Sequence, residues 1–258
     1  MFRQLRTLFA WRALLVHLVR ADLQVAYRNK VLGFLWSLLD PLMLMAVYVL
    51  LVQVIFKRGE PLFPVLLFSA LLAWRWFLYS TQKATMSIAT KDRLIQTVAF
   101  PRIILPTQHV ATGLMKYLFS LGALVPMLLL FRVTFTAQML WLPVIVFIQL
   151  IFTLGFALIC SIVGVYFRDL QNILVFTLRI WFYLSPALFS IADRIPPYLR
   201  PIYMLNPFSS LFNAYKNILV RGTPPSVYIW VALGFGVAFL GFGLWLFDKM
   251  EHRLAKDV

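Results

Sequence analysis

Four charged side chains stand inside long apolar runs: Asp40, Arg75, Lys116 and Arg179. The sharpest case is Arg75, flanked by Trp74 and Trp76 in LLAWRWFLYS, residues 71–80. An ionised group in hydrocarbon costs several kcal/mol, so such a residue needs a partner, water or a task. At helical spacing Arg75, Tyr79 and Gln82 share one face. Thr112, Lys116 and Ser120 share another, as do Asn172, Arg179 and Tyr183. Two readings are open. The bases pair with Asp40 or reach toward lipid headgroups. Alternatively, at least one lines a path and holds an anion.

The chemistry of bond-making is missing from the same inventory. No G-x-x-x-x-G-K-[ST] phosphate loop occurs, so this chain does not hydrolyse ATP. The 9 carboxylates form no evident catalytic pair and no D-x-D metal motif. The single cysteine, Cys160, excludes an internal disulfide and a cysteine metal cluster. His17, His109 and His252 are too scattered for a metal site.

The elements that must position these residues follow from composition. The chain has 258 residues, 62% hydrophobic and 13% charged. That leaves too little polar surface for a soluble domain. Several apolar runs reach about 20 residues, enough to cross a bilayer core roughly 30 Å thick. The short alternating segments of a transmembrane barrel are absent. The fold predicted is an all-α membrane protein forming one transmembrane domain over residues 1–258. Six spans are expected at 33–56, 62–82, 106–131, 141–167, 172–190 and 227–247. Residues 1–32 mix arginines with Leu, Phe, Trp and Val, which suits an amphipathic helix in the membrane interface. Its apolar stretch is broken by Arg12 and His17 and does not read as a cleavable signal.

Net charge is +15. In a membrane protein this reads as basic cytoplasmic loops facing anionic lipid, not as nucleic-acid binding. Of the 24 Lys and Arg, three lie within the spans. With the N-terminus inside, fourteen of the others are cytoplasmic and seven external, so both termini are expected in the cytoplasm.

Two connections are too elaborate for turns. Residues 83–105 form a long cytoplasmic loop, with a short helix expected around 91–97 and Pro101 and Pro106 bracketing the return to the membrane. Residues 191–226 carry six prolines around LNPFSSLFNAYKNIL, an amphipathic stretch too short to span. It reads as an external re-entrant segment, and Asn206, Pro207, Phe208 and Tyr215 are its candidate gate residues. Aromatics make up 16% of the chain. Most belong to packing or interfacial belts. Trp74, Trp76, Phe77, Tyr79, Trp181, Phe182 and Tyr183 are candidates for a stacking track.

The residues RADLQVAYRNKVLGFLWSLLDPL, 20–42, resemble the opening of ABC-2 type exporter membrane subunits, in particular polysaccharide and O-antigen exporters. The pattern there is roughly R-x-D-L-x-x-[RK]-Y-[RK]-x-[ST]-x-L-G-x-L-W-x-x-x-x-P. IQTVAFPRIILP, FRDLQNIL and LNPFSSLFNAYKNIL are similar to later segments of that family, in order along the whole chain. Ala26 departs from the pattern where a basic residue is common, and Asp40 stands where Asn is frequent.

The resemblance implies a homodimer with two copies of a separate ABC ATPase, which carries the ATP and Mg; no cofactor is implied in this chain. It implies export of a lipid-linked glycan across the bacterial inner membrane. Residues matching the ATPase-coupling segments are Asp22, Tyr27, Arg28 and Gly33, then Lys91, Asp92, Phe100, Pro101 and Arg102. The channel candidates are Asp40, Trp74, Arg75, Tyr79, Gln82, Lys116, Arg179 and Tyr183, in a path at the dimer interface. Two other readings stay open: an ABC-2 exporter of capsule, teichoic acid, a drug or a small lipid, and an intramembrane lipid-phosphate enzyme.

Overall fold

The computed structural model describes residues 2–27, 35–57, 59–60, 62–90 and 100–254. Arg28, Gly33, Lys91 and Asp92 and the helix expected at 91–97 lie outside the described residues. Among the described residues there is no strand. Helices α1 (Phe2–Ala10) and α2 (Arg12–Tyr27) are separated only by a turn at Trp11. Helix α3 (Trp36–Val49) carries Pro41 and runs on as a π-helical stretch, Leu50–Ile55. Then come α4 (Phe63–Thr85), α5 (Ile104–Leu130), α6 (Leu142–Tyr166), α7 (Leu170–Leu184), α8 (Pro207–Lys216) and α9 (Ile229–Leu254).

Among the described residues, five stretches are long and apolar enough to cross a membrane: Trp36–Ile55, Phe63–Thr85, Ile104–Leu130, Ala137–Tyr166 and Ile229–Met250. The expected fifth span is shorter than its sequence suggests. Its helix has 15 residues and ends at Leu184, not near Ser190. Ser185 is extended, as the residue before a proline tends to be, and Pro186 has no N–H to continue the ladder.

Helix starts follow local chemistry. Pro64 opens α4, where its missing N–H costs nothing. At α8, Asn206 accepts a bond from the Phe208 N–H at 3.1 Å and Pro207 takes the first helical position. The π-helical turn Asn217–Arg221 ends at Gly222, whose φ of 67° is left-handed.

Helix α4 is the centre of the fold, 83% of its apolar window being buried. It contacts α3, α5, α6, α7 and α8. Phe77 sits in an aromatic cluster with Phe152, Trp181 and Phe208, its centroid 4.6 Å from that of Phe208. A buried polar pair ties three helices together. Gln149 donates to the Ala73 carbonyl at 2.7 Å and accepts from Tyr215 Oη at 2.8 Å. With no water in the hydrocarbon to replace them, such interhelical bonds specify packing. Behind α4, α6 and α9 pack closely along their length. A smaller apolar cluster joins Ile88 and Ile103, from the two described ends of the 83–105 loop, to Leu158, Ile162, Leu244 and Phe247.

Candidate functional site

Arg75 emerges from α4 toward α3, where its Nη2 donates to Asp40 Oδ2 in a close charge-assisted contact. The guanidinium and carboxylate are 37% and 58% exposed, so the pair is open to cavities on both sides. On one side is a cavity of about 260 Å³ between α3, α4 and α5, whose lining includes Ser37, Asp40, Arg75, Tyr79, Lys116 and Ser120. On the other is a cleft of about 280 Å³ between α3, α4 and α7, bordered by Arg75, Gln82, Arg179 and Tyr183. The Tyr48 and Tyr183 hydroxyls meet there at 3.1 Å. Arg75 thus stands between two spaces, and Gln82, Arg179 and Tyr183 join it on the second side.

Lys116 completes the first cavity. Its Nζ lies 3.8 Å from the centroid of the Tyr79 ring, a cation–π arrangement. The Tyr79 hydroxyl donates to Asp22 Oδ2 at 2.9 Å, and His109 Nδ1 lies 3.9 Å from the same oxygen. Asp22, from α2, is therefore joined through Tyr79 to the wall of the cavity. Sequence reasoning weighs His109 only as a metal ligand and misses this contact. The signal that would have found it is its spacing from Lys116 by seven residues on α5, which puts both on one face.

Tyr79→Phe should leave the ring beneath Lys116 and remove only the bond to Asp22. Such a bond is worth about 1–2 kcal/mol. We expect roughly five- to thirtyfold faster amide hydrogen exchange around Asp22, with the rest of the chain unchanged.

The coupling candidates are only partly brought together. Tyr27 is the last residue of α2, and Phe100, Pro101 and Arg102 lie half-buried before α5. The aromatic track needs correction. Trp74 borders the second cleft but is buried, its ring edge-on to Phe208 at 4.8 Å. Trp76 on α4 and Phe182 on α7 are also buried, each bordering a cavity, Trp76 the first and Phe182 the second, while Phe77 fills the core. Tyr79, Trp181 and Tyr183 keep accessible surface.

The gate candidates are likewise internal. Pro207, Phe208 and Tyr215 are buried in the cluster on α4 and α6, and Trp181 Nε1 donates to Asn206 Oδ1 at 2.9 Å. These four anchor the 203–220 segment. Beside them, Lys216 is 5% exposed. Its ammonium donates to the Pro186, Ala187 and Phe189 carbonyls, the last two at 3.1 and 3.4 Å. Burial first, then the Arg221 charge, pull its pKa down to about 7, against an opposing pull from Glu60.

Lys216→Met, similar in length, should strip three carbonyls of their donor and lower stability by about 1–3 kcal/mol. Thermal unfolding in detergent measures it. An unchanged midpoint would mean that relieving the desolvated charge offsets the lost bonds.

A helical membrane protein with a charged, open cavity between its spans has the form of a transport subunit, and comparison gives the class. Residues 13–220 match the ABC-2 type transporter family, to which this chain belongs. It is 34% identical over 264 residues to the O-antigen export system permease protein RfbA of Myxococcus xanthus, with 100% of both chains covered. It is 29% identical over 244 residues to the O-antigen export system permease protein RfbA of Klebsiella pneumoniae, with 94% of each covered.

Proposed function

We propose that this chain is the membrane-spanning subunit of an ATP-driven exporter. It moves a lipid-linked polysaccharide, O-antigen first among the candidates, across the bacterial inner membrane. The observation that carries this reading is the end-to-end correspondence with an O-antigen export permease. In this reading the chain crosses the membrane six times, α7 being the short span, with both termini in the cytoplasm. Helices α1 and α2 lie in the cytoplasmic interface. The 83–105 loop and the α2 end receive motion from two copies of a separate ABC ATPase, which binds ATP and Mg. Residues 191–226 form an external re-entrant region.

Two copies of the chain enclose the path. Helix α3 supports this, since its window is apolar and only 6% buried within one protomer. The α3–α7 cleft that Arg75 borders opens beside it. A polymer is too long for a closed alternating cavity, so the path is a channel whose outer end the re-entrant segment closes. Leu205, exposed beside that segment, is a site for cross-linking the two copies as Leu205→Cys. Disulfide formation there should stop export, and reduction should restore it; export that continues while cross-linked would remove the gate from the mechanism.

Capsular polysaccharide, teichoic acid, a drug or a small lipid is the alternative cargo. The test is co-purification with the neighbouring ATPase, followed by ATPase assay in lipid with each candidate lipid-linked glycan. A two-plus-two complex whose turnover responds to one glycan supports the reading. A chain that purifies alone and acts without ATP defeats it.

A further inference from the structure

We propose that the seam between α3 and α5 is a slot for a single amphipathic ligand, a phosphate or pyrophosphate on a long hydrocarbon tail. The head occupies the Arg75–Lys116 cavity, and the tail lies in the apolar groove that continues it. This rests on the reading of the chain as a carrier of a lipid-linked glycan and assigns the place of the lipid.

The geometry is a change of chemistry along one pair of helix faces. On α3, Ser37 and Pro41 line the charged cavity, and Met45 and Val49, at successive four-residue steps, line a second space. On α5, Lys116 and Ser120 line the cavity, and Met127 and Phe131 line the same second space. That space is a groove of about 420 Å³, and every residue lining it is apolar. Pro41, in the lining of the first space, and Leu42, in that of the second, are consecutive on α3. Ser120 Oγ, 3.3 Å from the Ser37 carbonyl, helps hold the helices together at the polar end.

The dimensions fit one leaflet. From residue 42 to residue 54 the groove follows α3 for about 18 Å at 1.5 Å per residue. Half of a bilayer's hydrocarbon core is about 15 Å. The head end supplies two cations for a phosphate, the Arg75 guanidinium, which also pairs with Asp40, and the Lys116 ammonium, a net positive charge with Ser37 and Ser120 nearby. The tail end supplies no polar group. Its residues suit a flexible chain better than a second helix. Close helix pairing in lipid favours small residues, whereas this groove is mainly Leu, Met, Val and Phe, with Ala46 and Pro64 the exceptions. Methionine in particular adapts to irregular chains.

The experiment uses the full chain in lipid nanodiscs and a polyprenyl phosphate bearing a diazirine in its tail. Labelled residues are mapped by mass spectrometry. We expect labelling concentrated at 42–54 and 127–131. Unmodified polyprenyl phosphate should displace it, and the polyprenol of the same length should not. Lys116→Gln should weaken groove labelling about tenfold, the loss of one charge-assisted contact. Met45→Trp should block the groove, with Leu42→Phe as the second variant if that one fails to fold.

Labelling spread evenly over other exposed apolar positions such as Phe176 and Val237, or equal displacement by the polyprenol, would make the groove ordinary lipid-facing surface and overturn the proposal. So would full displacement by inorganic phosphate alone, or cross-links from the groove to a second copy of the chain. If the slot fails while the ATPase complex still answers to a glycan, only the slot falls. If that response is absent as well, the transport reading falls with it.

Discussion

Arg75→Gln should reduce export per folded subunit by at least about tenfold while changing the amount of folded subunit much less. The asymmetry comes from the geometry of the pair. Arg75 and Asp40 are both more than a third exposed to the cavities. A pair so open to water contributes about 0–1 kcal/mol to stability. An anion held by the guanidinium would instead lose a charge-assisted bond worth about 1.5–3 kcal/mol, which is tenfold or more. Asp40 left alone still borders the same open cavity. The double variant Asp40→Arg with Arg75→Asp separates the two roles. It restores the ion pair but moves the cation to α3, so folding should recover and export should not. Polymer export and membrane-extracted subunit are measured side by side. Equal losses of both would make Arg75 a structural residue.

The second large effect is at the crossing of α6 and α9. Glycines meet there from both sides. A Cβ on Gly155 would lie 2.3 Å from the Leu240 nitrogen and 2.6 Å from the Phe239 carbonyl carbon. A Cβ on Gly236 would lie 3.0 Å from the Phe152 nitrogen. Backbone cannot yield as a side-chain tip can, so Gly155→Ala must push the helices apart. Overpacking costs about 1–3 kcal/mol, and this site belongs at the upper end. Gly122→Ala, with nothing within 4 Å of the new Cβ, should be neutral or stabilising, since alanine is the better helix former by about 1 kcal/mol. Thermal unfolding of the two variants in detergent should therefore move in opposite directions. A shared direction would mean that the α6–α9 crossing adjusts freely.

Much of this was legible in the residues. Runs of apolar length set the class and most of the helices, because a bilayer admits few alternatives. Asn206 and Pro207 mark the start of α8 in the sequence, whereas the span expected over 172–190 stops at Leu184, before Pro186. Charges inside apolar runs named Asp40, Arg75 and Lys116 before any contact was known. Pairing with Asp40 is one of the readings they offer, but which base takes it is not legible, nor is the Asp22–Tyr79 bond. Asp40 meets Arg75 from 35 positions away and Asp22 meets Tyr79 from 57, and the two bonds link three different helices. No helical period carries that information.

Burial was the least legible of all. Helix α4 has a mean hydropathy of 1.4, the lowest among the five long apolar helices, yet it is 83% buried. The window Trp36–Ile55, at 2.2, is 6% buried. In water the order would be reversed, since apolar surface drives itself inward. In lipid the tails are as apolar as leucine, so hydropathy selects what enters the membrane and says little about what faces the core. The sequence determined by itself that this is a helical membrane protein with charges to place. Only the tertiary structure decided that Trp74, Phe77 and Phe208 fill its centre, and that Arg75 opens between two cavities at its edge.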